Sequence, residues 1–179
     1  SGELLDYAFV IPPSPNLYFQ RDPMAITPGG IIFSSMKKEG RQREANILRA
    51  IFENHVDFKD HVNRLYPING HDSPPSIEGG DVIVLSKHAV AIGNSERTDE
   101  KAIYHVAKAL LAEGSVERVY EVHLPKKRQY MHLDTVFTIL DENLVLTYPD
   151  ALNSVLQTSL YTLKDIHDDK VNIKRQVLN

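Results

Sequence analysis

A chain of 179 residues is long enough for one sizeable hydrophobic core, and 42% hydrophobic with 25% charged residues indicates a globular domain. A net charge of −4 gives no general attraction to nucleic acid or to an anionic membrane, so we predict neither as a partner. No apolar run reaches the roughly 18 residues that span a bilayer, and the first residues lack a secretory signal, so we expect a cytoplasmic protein. The absence of cysteine excludes disulfides, thiolate metal sites and a cysteine nucleophile from this chain.

The first part of the chain reads as a strand hairpin followed by a helix. Residues 7–11 are an apolar strand leading into a proline-rich loop, and residues 24–27 and 31–36 are two strands joined by a glycine turn. A helix is predicted over residues 42–55, followed by a loop over residues 60–76. Five apolar side chains share one face of this helix, which we expect to lie in the core: Ile47, Leu48, Ile51, Phe52 and Val56.

The next part of the chain repeats this plan. Residues 77–85 and 89–93 are predicted strands, and Thr98 is the expected N-cap of a helix that ends at Gly114. Residues 116–124 follow as a strand. The helix carries a continuous apolar stripe, which predicts that it packs on a sheet: Ile103, Val106, Ala107, Leu110 and Leu111.

The last part begins with a third hairpin, with strands at residues 132–140 and 144–148. Residues 151–160 are predicted to form a short helix. The charged segment 164–170 is expected to be exposed, with one further strand at residues 171–173.

An acidic residue stands at the start of each hairpin, and these residues, Asp22, Asp81 and Asp134, are spaced by 59 and 53 positions. Such a period is typical of a radial or stacked array of units. We therefore predict a single α/β domain of about three strand-hairpin-helix units, in which the equivalent acids converge on the axis. The units cover about residues 16–76, 77–130 and 131–179.

Two arginines also repeat at matched positions. Arg41 follows Asp22 by 19 residues and Arg97 follows Asp81 by 16, each just before a predicted helix. The ordinary alternative is a surface charge at a helix start. In a radial array, both arginines would instead join the acids in the central pocket.

His132 and Asp134 place a proton carrier beside a carboxylate. In a strand, side chains two residues apart share one face, so we expect these two to point the same way. Most such pairs are ordinary hydrogen-bonded or solvated neighbours, which is the alternative interpretation here.

The motif Glu78-Gly79-Gly80-Asp81 holds two carboxylates three residues apart. A bend or bulge at the two glycines can turn both carboxylates to one side of a strand. The alternative is a glycine turn with two solvated acids.

The segment from Asn16 to Pro23 combines an amide, an aromatic ring and an ion pair, supplied by Asn16, Phe19, Arg21 and Asp22. Ordinary turn chemistry, in which Asn and Asp bond to the local backbone, is the alternative explanation.

The charges of these residues predict the kind of ligand that the pocket binds. Several carboxylates around one histidine suit a guanidinium, and two arginines suit a carboxylate at the other end of the same molecule. The predicted ligand is an amino acid with a guanidinium side chain.

A metal ion is the competing interpretation, but the nearest second histidine, His123, lies in a different element, so we assign no metal and no other cofactor. The basic triplet Lys126-Lys127-Arg128 is interpreted as a solvated turn.

Five motifs, in order and with matching spacings, resemble the arginine deiminase family over roughly residues 10–150. The resemblance implies the fold of the guanidine-modifying enzymes, a five-unit α/β propeller (pentein-like), of which this chain would form a part. The motifs are Pro15 to Pro23, Gly40 to Glu44, Ile77 to Val82, Ser95 to Asp99 and Met131 to Thr138.

In that family a cysteine attacks the guanidinium carbon of free L-arginine, ammonia leaves, and water releases citrulline from the covalent thiouronium. The resemblance implies a role for each matching residue. Asp22 and Asp134 would grip the guanidinium, His132 would be the general acid/base, and Glu78 would hold and tune His132. Asn16, Arg41 and Arg97 would bind the substrate carboxylate, Phe19 would wall the pocket, and Asp81 would have an orienting role.

This chain differs from the family at one essential point. The family's nucleophilic cysteine lies in a glycine-rich segment near the C-terminus, and this chain contains neither. We therefore expect the middle fragment of an arginine deiminase, inactive by itself, or alternatively a natural non-catalytic module that binds arginine or a partner chain. Three units without the closing two would leave open sheet edges, so we also expect a homo-oligomer.

Overall fold

The computed structural model describes residues 13–61, 63–66, 74–153, 157–167 and 170–178. The predicted strand at residues 7–11 lies outside the described residues. The α-helices are α1 Gln42–Asn54, α2 Glu100–Glu113 and the short α3 Pro149–Leu152. The strands are β1 Met24–Thr27, β2 Gly30–Phe33, β3 Arg64–Tyr66, β4 Val82–Ser86, β5 Ala89–Asn94, β6 Arg118–His123, β7 Phe137–Asp141, β8 Leu144–Thr147, β9 Gln157–His167 and β10 Lys170–Leu178. Single-turn 3₁₀ helices cover Pro15–Tyr18, Glu39–Arg41, Gly79–Asp81, Arg128–Tyr130 and Leu133–Thr135.

Two parts of the chain share the same ββαβ plan, which is the repeat that the sequence predicts. In the first, β1 and β2 are antiparallel and β3 runs parallel to β2 after α1. In the second, β4 and β5 are antiparallel and β6 runs parallel to β5 after α2. A third hairpin, β7–β8, begins the next repeat. The prediction of a loop over all of residues 60–76 is wrong at β3, because Leu65 and Tyr66 are buried beside β2.

The C-terminal part of the chain differs from the prediction. The expected helix over residues 151–160 is wrong, since α3 ends at Leu152 and β9 begins at Gln157. Within β9, Ser159 and Tyr161 alternate onto a buried face, which is strand periodicity. The hairpin β9–β10 extends the sheet of the second unit, whose order is β10-β9-β6-β5-β4. The strand predicted at residues 171–173 is correct but shorter than β10.

The main core lies between α2 and the five-stranded sheet. The predicted stripe of α2 is buried along its whole length and packs against residues of the sheet that include Val90, Ile92 and Val119. Gly114 ends the helix in the left-handed conformation, with φ of +83°, as a C-cap glycine does. A second apolar cluster covers the other face of this sheet and includes Ile83, Ala91 and Leu133. No described helix is long and apolar enough to cross a membrane.

The prediction that the apolar face of α1 forms core is largely wrong. The buried residues of α1 are Glu44 and Ala45, whereas Ile51 is 43% exposed. Phe52 makes an edge contact with Phe33 of β2, with ring centroids 6.2 Å apart. Ile47, Leu48 and Phe52 are half-buried, so the described residues cover only a part of this helix face.

The repeat brings the three predicted acids together. Asp22, Asp81 and Asp134 each lie within a few residues of the start of the first strand of a hairpin. An isolated bridge between Ser35 and Ile77, and a hydrogen bond from the Gly79 amide to the Asp22 carbonyl at 2.8 Å, join the first unit to the second. Equivalent ends of the hairpins therefore meet at one place.

Candidate active site

His132 lies at this meeting point, but it is not part of a strand. Its backbone is extended and is followed by the 3₁₀ turn Leu133–Thr135, and β7 begins only at Phe137. The Thr135 hydroxyl donates to the His132 carbonyl at 2.6 Å, which favours a turn over a strand. The expectation that His132 and Asp134 share one strand face is therefore wrong. The turn and the neighbouring units orient them separately.

The His132 ring is buried between two carboxylates. Its Nε2 lies 2.8 Å from Glu78 Oε2, and its Nδ1 lies 3.5 Å from Asp22 Oδ1, with only 4% of the residue exposed. Burial lowers the pKa of His132, but the hydrogen bond to Glu78 and the charges of Asp81, Asp22 and Glu78 together outweigh burial and raise it. The carboxylates around the ring therefore favour its protonated form.

Glu78 is fully buried and is held from several sides. Its Oε1 accepts a hydrogen bond from the Lys37 amide at 3.0 Å, and its own amide donates to Thr98 Oγ1 at 3.2 Å. The Arg97 Nη1 atom lies 3.8 Å from Glu78 Oε1. These contacts hold in place the carboxylate that is hydrogen-bonded to His132.

The two glycines of the Glu78–Asp81 motif allow close approach. They form a 3₁₀ turn, and a Cβ on Gly79 would lie 2.1 Å from the Arg21 carbonyl oxygen. A Cβ on Gly80 would lie 2.6 Å from His132 Nδ1. The predicted bend is present, and the second glycine also makes room for the histidine ring.

Asp81 is fully buried and its carboxylate is used inside the protein. The Ser95 and Thr98 hydroxyls each donate to Oδ2 at 2.6 Å, and the Leu133 amide donates to Oδ1 at 2.9 Å. Burial raises the pKa of Asp81 to about 7, although His132 and these hydrogen bonds act against it. These hydrogen bonds keep the carboxylate inside the protein and link it to Leu133, the residue after His132.

Asp22 pairs with Arg41. The Arg41 Nη1 atom donates to Asp22 Oδ2 at 2.7 Å, while Nε and Nη2 donate to the buried Glu44. Burial lowers the pKa of Arg41, but the hydrogen bonds to Glu44 and Asp22 outweigh burial and raise it. One oxygen of Asp22 therefore faces an arginine and the other faces His132.

Asp134 lies on the other side of the site. Its Oδ2 is 3.1 Å from Arg21 Nε. Burial raises the pKa of Asp134, with the charge of Asp22 acting in the same direction, whereas His132 and Arg21 lower it. A groove of about 730 Å³ runs alongside, between β1, β4 and β7, and is lined in part by Arg21, Gly79 and Asp134.

Arg97 has an unused donor. Its Nε atom is buried without a hydrogen-bond partner among the described residues, because Glu96 Oε1 lies 3.7 Å away. Buried polar groups are nearly always paired in native proteins. An acceptor on a ligand would satisfy this group.

Asn16 and Phe19 lie at the rim. Both are exposed, Phe19 to 55%, and the Asn16 carbonyl accepts a hydrogen bond from Arg41 Nη2 at 3.4 Å. The structure thus brings together seven of the predicted residues. These are Asp22, Arg41, Glu78, Asp81, Arg97, His132 and Asp134. Asn16 touches this cluster through its backbone, and Phe19 stands apart from it.

Sequence reasoning missed the support that three residues give to the site: Glu44, Ser95 and Thr98. It expected Arg21 in an ion pair, and the partner of Arg21 is Asp134. The prediction of Thr98 as a helix N-cap is wrong, since Asp99 occupies that position and the Thr98 hydroxyl bonds to Asp81. The spacing of Glu44, three residues after Arg41, was a usable signal for an ion pair on one helix face. No described group of His, Asp and Glu has the arrangement of a metal site.

Comparisons with known proteins show which family this chain resembles. The sequence profile of the arginine deiminase family matches residues 2–179. The arginine deiminase of Listeria welshimeri is 37% identical over 160 residues, which are 88% of this chain and 39% of that protein. This chain therefore spans about two fifths of the length of the curated relatives that it matches.

Two solved structures share the fold. Dimethylarginine dimethylaminohydrolase from Pseudomonas aeruginosa, a Cys-to-Ser mutant complexed with citrulline, aligns with a TM-score of 0.59 and 23% identity, over 78% of this chain and 52% of that chain. A Cys-to-Ala mutant of AgrE in a binary complex with L-arginine aligns with a TM-score of 0.60 and 21% identity, over 76% of this chain and 18% of that chain. With the profile match over nearly its whole length, this chain belongs to the arginine deiminase family.

Proposed function

We propose that this chain supplies the proton-transfer and substrate-binding groups of an enzyme that hydrolyses L-arginine to L-citrulline and ammonia. The observation that carries the proposal is His132, buried between Glu78 and Asp22 with Asp134 nearby. The L-arginine and citrulline complexes of the two solved relatives support this choice of ligand. Cytoplasmic location remains the prediction made from the sequence.

Substrate binding follows from the charges around His132. Asp22 and Asp134 would grip the guanidinium of L-arginine, and Arg97, with its unused Nε donor, would bind the α-carboxylate. Arg41 and Asn16 would contribute to the same carboxylate. Arg41 contacts Asp22 in this structure, so it must leave that carboxylate when a substrate guanidinium arrives.

Proton transfer is assigned to His132. A cysteine thiolate, supplied from outside this chain, would form a bond to the guanidinium carbon, and protonated His132 would give its proton to the departing ammonia. Neutral His132 would then take a proton from the water that attacks the thiouronium. The C–S bond breaks in that second step and citrulline is released. Glu78 stabilises the protonated ring in each step.

The isolated chain is expected to bind L-arginine and to make no citrulline, since it has no cysteine. Calorimetric titration of the 179-residue chain with L-arginine tests binding. A citrulline assay on the protein extended by the downstream reading frame tests catalysis, with the His132→Ala variant beside it. Unchanged citrulline production by His132→Ala would refute the proton-transfer role.

The alternative function is a non-catalytic module that binds arginine or a partner chain. The reading frame after codon 179 distinguishes the two. A continuation that contains a cysteine within a glycine-rich segment supports the enzyme, whereas an immediate stop codon favours the binding module.

We also infer that the chain self-associates through the hairpin β7–β8. Both of its faces carry exposed apolar side chains, since adjacent residues of each strand are exposed hydrophobics. Exposed apolar patches of this kind mark contact surfaces, and a two-stranded sheet is marginal by itself. The side chains concerned are Ile139, Leu140, Leu144, Val145 and Leu146.

A further inference from the structure

Lys126, in the basic triplet that follows β6, is not the solvated charge that the sequence predicts. Its Nζ donates to the side-chain oxygen of Asn94 and to the carbonyl oxygens of Ser95 and Thr98, the last at 3.5 Å. The residue is exposed overall, but its ammonium reaches inward. Burial lowers the pKa of Lys126, while the carboxylates of Asp99 and Asp81 act in the opposite direction.

The acceptor on Asn94 is fixed in orientation. Asn94 Nδ2 donates to Glu121 Oε1 at 2.8 Å, so its amide oxygen must face Lys126. Glu121 is fully buried and is held in turn by the Tyr161 hydroxyl at 2.8 Å and by Arg175 Nη2 at 3.0 Å. The anchor for Lys126 therefore belongs to the five-stranded sheet, since Asn94 lies in β5 and Glu121 in β6.

The segment that Lys126 grips, residues 94–98, carries groups of the candidate active site. Ser95 and Thr98 donate to the Asp81 carboxylate, and Thr98 Oγ1 also accepts the Glu78 amide. Arg97, with its unused Nε, lies between them. Asp81 then holds the Leu133 amide, next to His132.

We propose that Lys126 is a positioning residue, whose ammonium holds segment 94–98 in the conformation in which Ser95 and Thr98 reach Asp81 and Arg97 faces the ligand. The choice of L-arginine as the ligand rests on the proposed function, whereas the contacts of Lys126 do not depend on it. Three oxygens that converge on one point suit the three donors of an ammonium, whereas a guanidinium presents its donors in a flat fork.

The test compares Lys126→Met, Lys126→Arg and the control Lys127→Met in the 179-residue chain. Lys127 is exposed, and no described hydrogen bond or ion pair involves its side chain. Far-UV circular dichroism establishes that each variant folds. Calorimetry then gives the Kd for L-arginine, and NMR of the imidazole nitrogens gives the titration midpoint of His132.

We expect both Lys126 variants to weaken L-arginine binding by about tenfold and to lower the His132 midpoint, while Lys127→Met matches the wild type. The midpoint falls because Asp81, without its Ser95 and Thr98 donors, stays protonated and no longer favours the imidazolium. The charged groups that face His132 are Asp22, Glu78, Asp81 and Asp134.

Two results would overturn the proposal. If Lys126→Arg behaves like the wild type, the lysine acts through its charge alone and not by positioning. If both Lys126 variants titrate His132 at the wild-type midpoint, segment 94–98 does not depend on the ammonium. A wild-type chain that binds no arginine would contradict the proposed function instead, and the His132 midpoint would still decide the role of Lys126. If Lys126→Met does not fold, the same measurements are made on Lys126→Arg alone, because that variant keeps the positive charge.

Discussion

Arg41 Nη1 lies 2.7 Å from Asp22 Oδ2, so a guanidinium already occupies one oxygen of the carboxylate that the proposed function assigns to the substrate guanidinium. The rest of the Arg41 fork is held by Glu44, which is buried at the start of α1. A ligand that reaches Asp22 must break a charge-assisted hydrogen bond that the protein makes with itself. Arg41 should therefore both oppose guanidinium binding and favour a carboxylate on the same ligand.

Arginine and agmatine, which lacks the carboxylate, separate these two effects. In the double variant Arg41→Met with Glu44→Gln, we expect the Kd for L-arginine to rise about tenfold or more, from the loss of one charge-assisted contact. Agmatine should bind at least as tightly as to the wild type, because Asp22 is freed. Calorimetric titration of the 179-residue chain with both ligands measures the change.

The second substitution in that variant avoids leaving Glu44 as a buried, unpaired carboxylate, which would itself destabilise the fold. Glu44→Gln alone is the control, because it keeps Arg41 on Asp22. An equal loss of affinity for both ligands would show that Arg41 does not compete for Asp22.

The hydrogen bond from His132 to Glu78 predicts a titration effect. Glu78→Gln removes a negative charge and turns an amide N–H toward Nε2, which then has to be an acceptor. The pKa of His132 should fall, because the imidazolium loses its partner. NMR titration measures it, with Glu117→Gln as control, since Glu117 pairs with the remote His88. An unchanged His132 midpoint in Glu78→Gln would remove Glu78 from its tuning role.

The stability of the chain should fall as pH rises from about 4 to about 7. Burial raises the pKa of Asp81 from 3.8 to about 7, so the folded state keeps a proton that the unfolded chain has released over this window. The raised pKa of His132 continues the same trend above 6.5. Between pH 4 and pH 7 the thermal midpoint of Asp81→Asn should change less than that of the wild type. The two changes should differ by at least about 2–4 °C, because about 1 kcal/mol of stability shifts the midpoint by that amount in a domain of this size. Parallel curves for wild type and Asp81→Asn would contradict this assignment.

The glycines beside His132 give a steric prediction. Gly80→Ala should destabilise the chain by about 1–3 kcal/mol, since its Cβ would meet His132 Nδ1 at 2.6 Å and the ring must move. Gly40→Ala is the matched control, because a Cβ there meets nothing within 4 Å, and its effect should stay within about 1 kcal/mol. Urea unfolding measures both. Equal unfolding free energies for the two variants would rule out close packing at Gly80.

Charge on β8 should weaken self-association. Leu144 and Leu146 are two residues apart on one strand, so lysine at both positions places two like charges on one face of the hairpin. Sedimentation velocity should show the wild type as an oligomer and the double variant as a monomer. Ile166→Lys on β9, where Ile166 is 56% exposed, is the control and should leave the oligomer intact. A monomeric wild type would contradict the inferred contact.

The sequence by itself determined the repeat and the composition of the site. Hairpin turns, the stripe of α2 and the spacing of Asp22, Asp81 and Asp134 are local patterns, and local patterns follow from backbone geometry and side-chain periodicity. The same patterns predicted a guanidinium-bearing ligand, because the charges that recognise it recur at equivalent positions.

Only the tertiary structure decided how those charges are paired. The sequence placed His132 and Asp134 on one strand face, but a hydrogen-bonded turn and contacts from two other units orient them. It described Thr98 as a helix cap and Lys126 as a solvated charge, whereas both hold groups far away in the chain. Pairing of buried polar groups depends on which donors and acceptors the whole fold brings within reach, and a linear pattern does not contain that information.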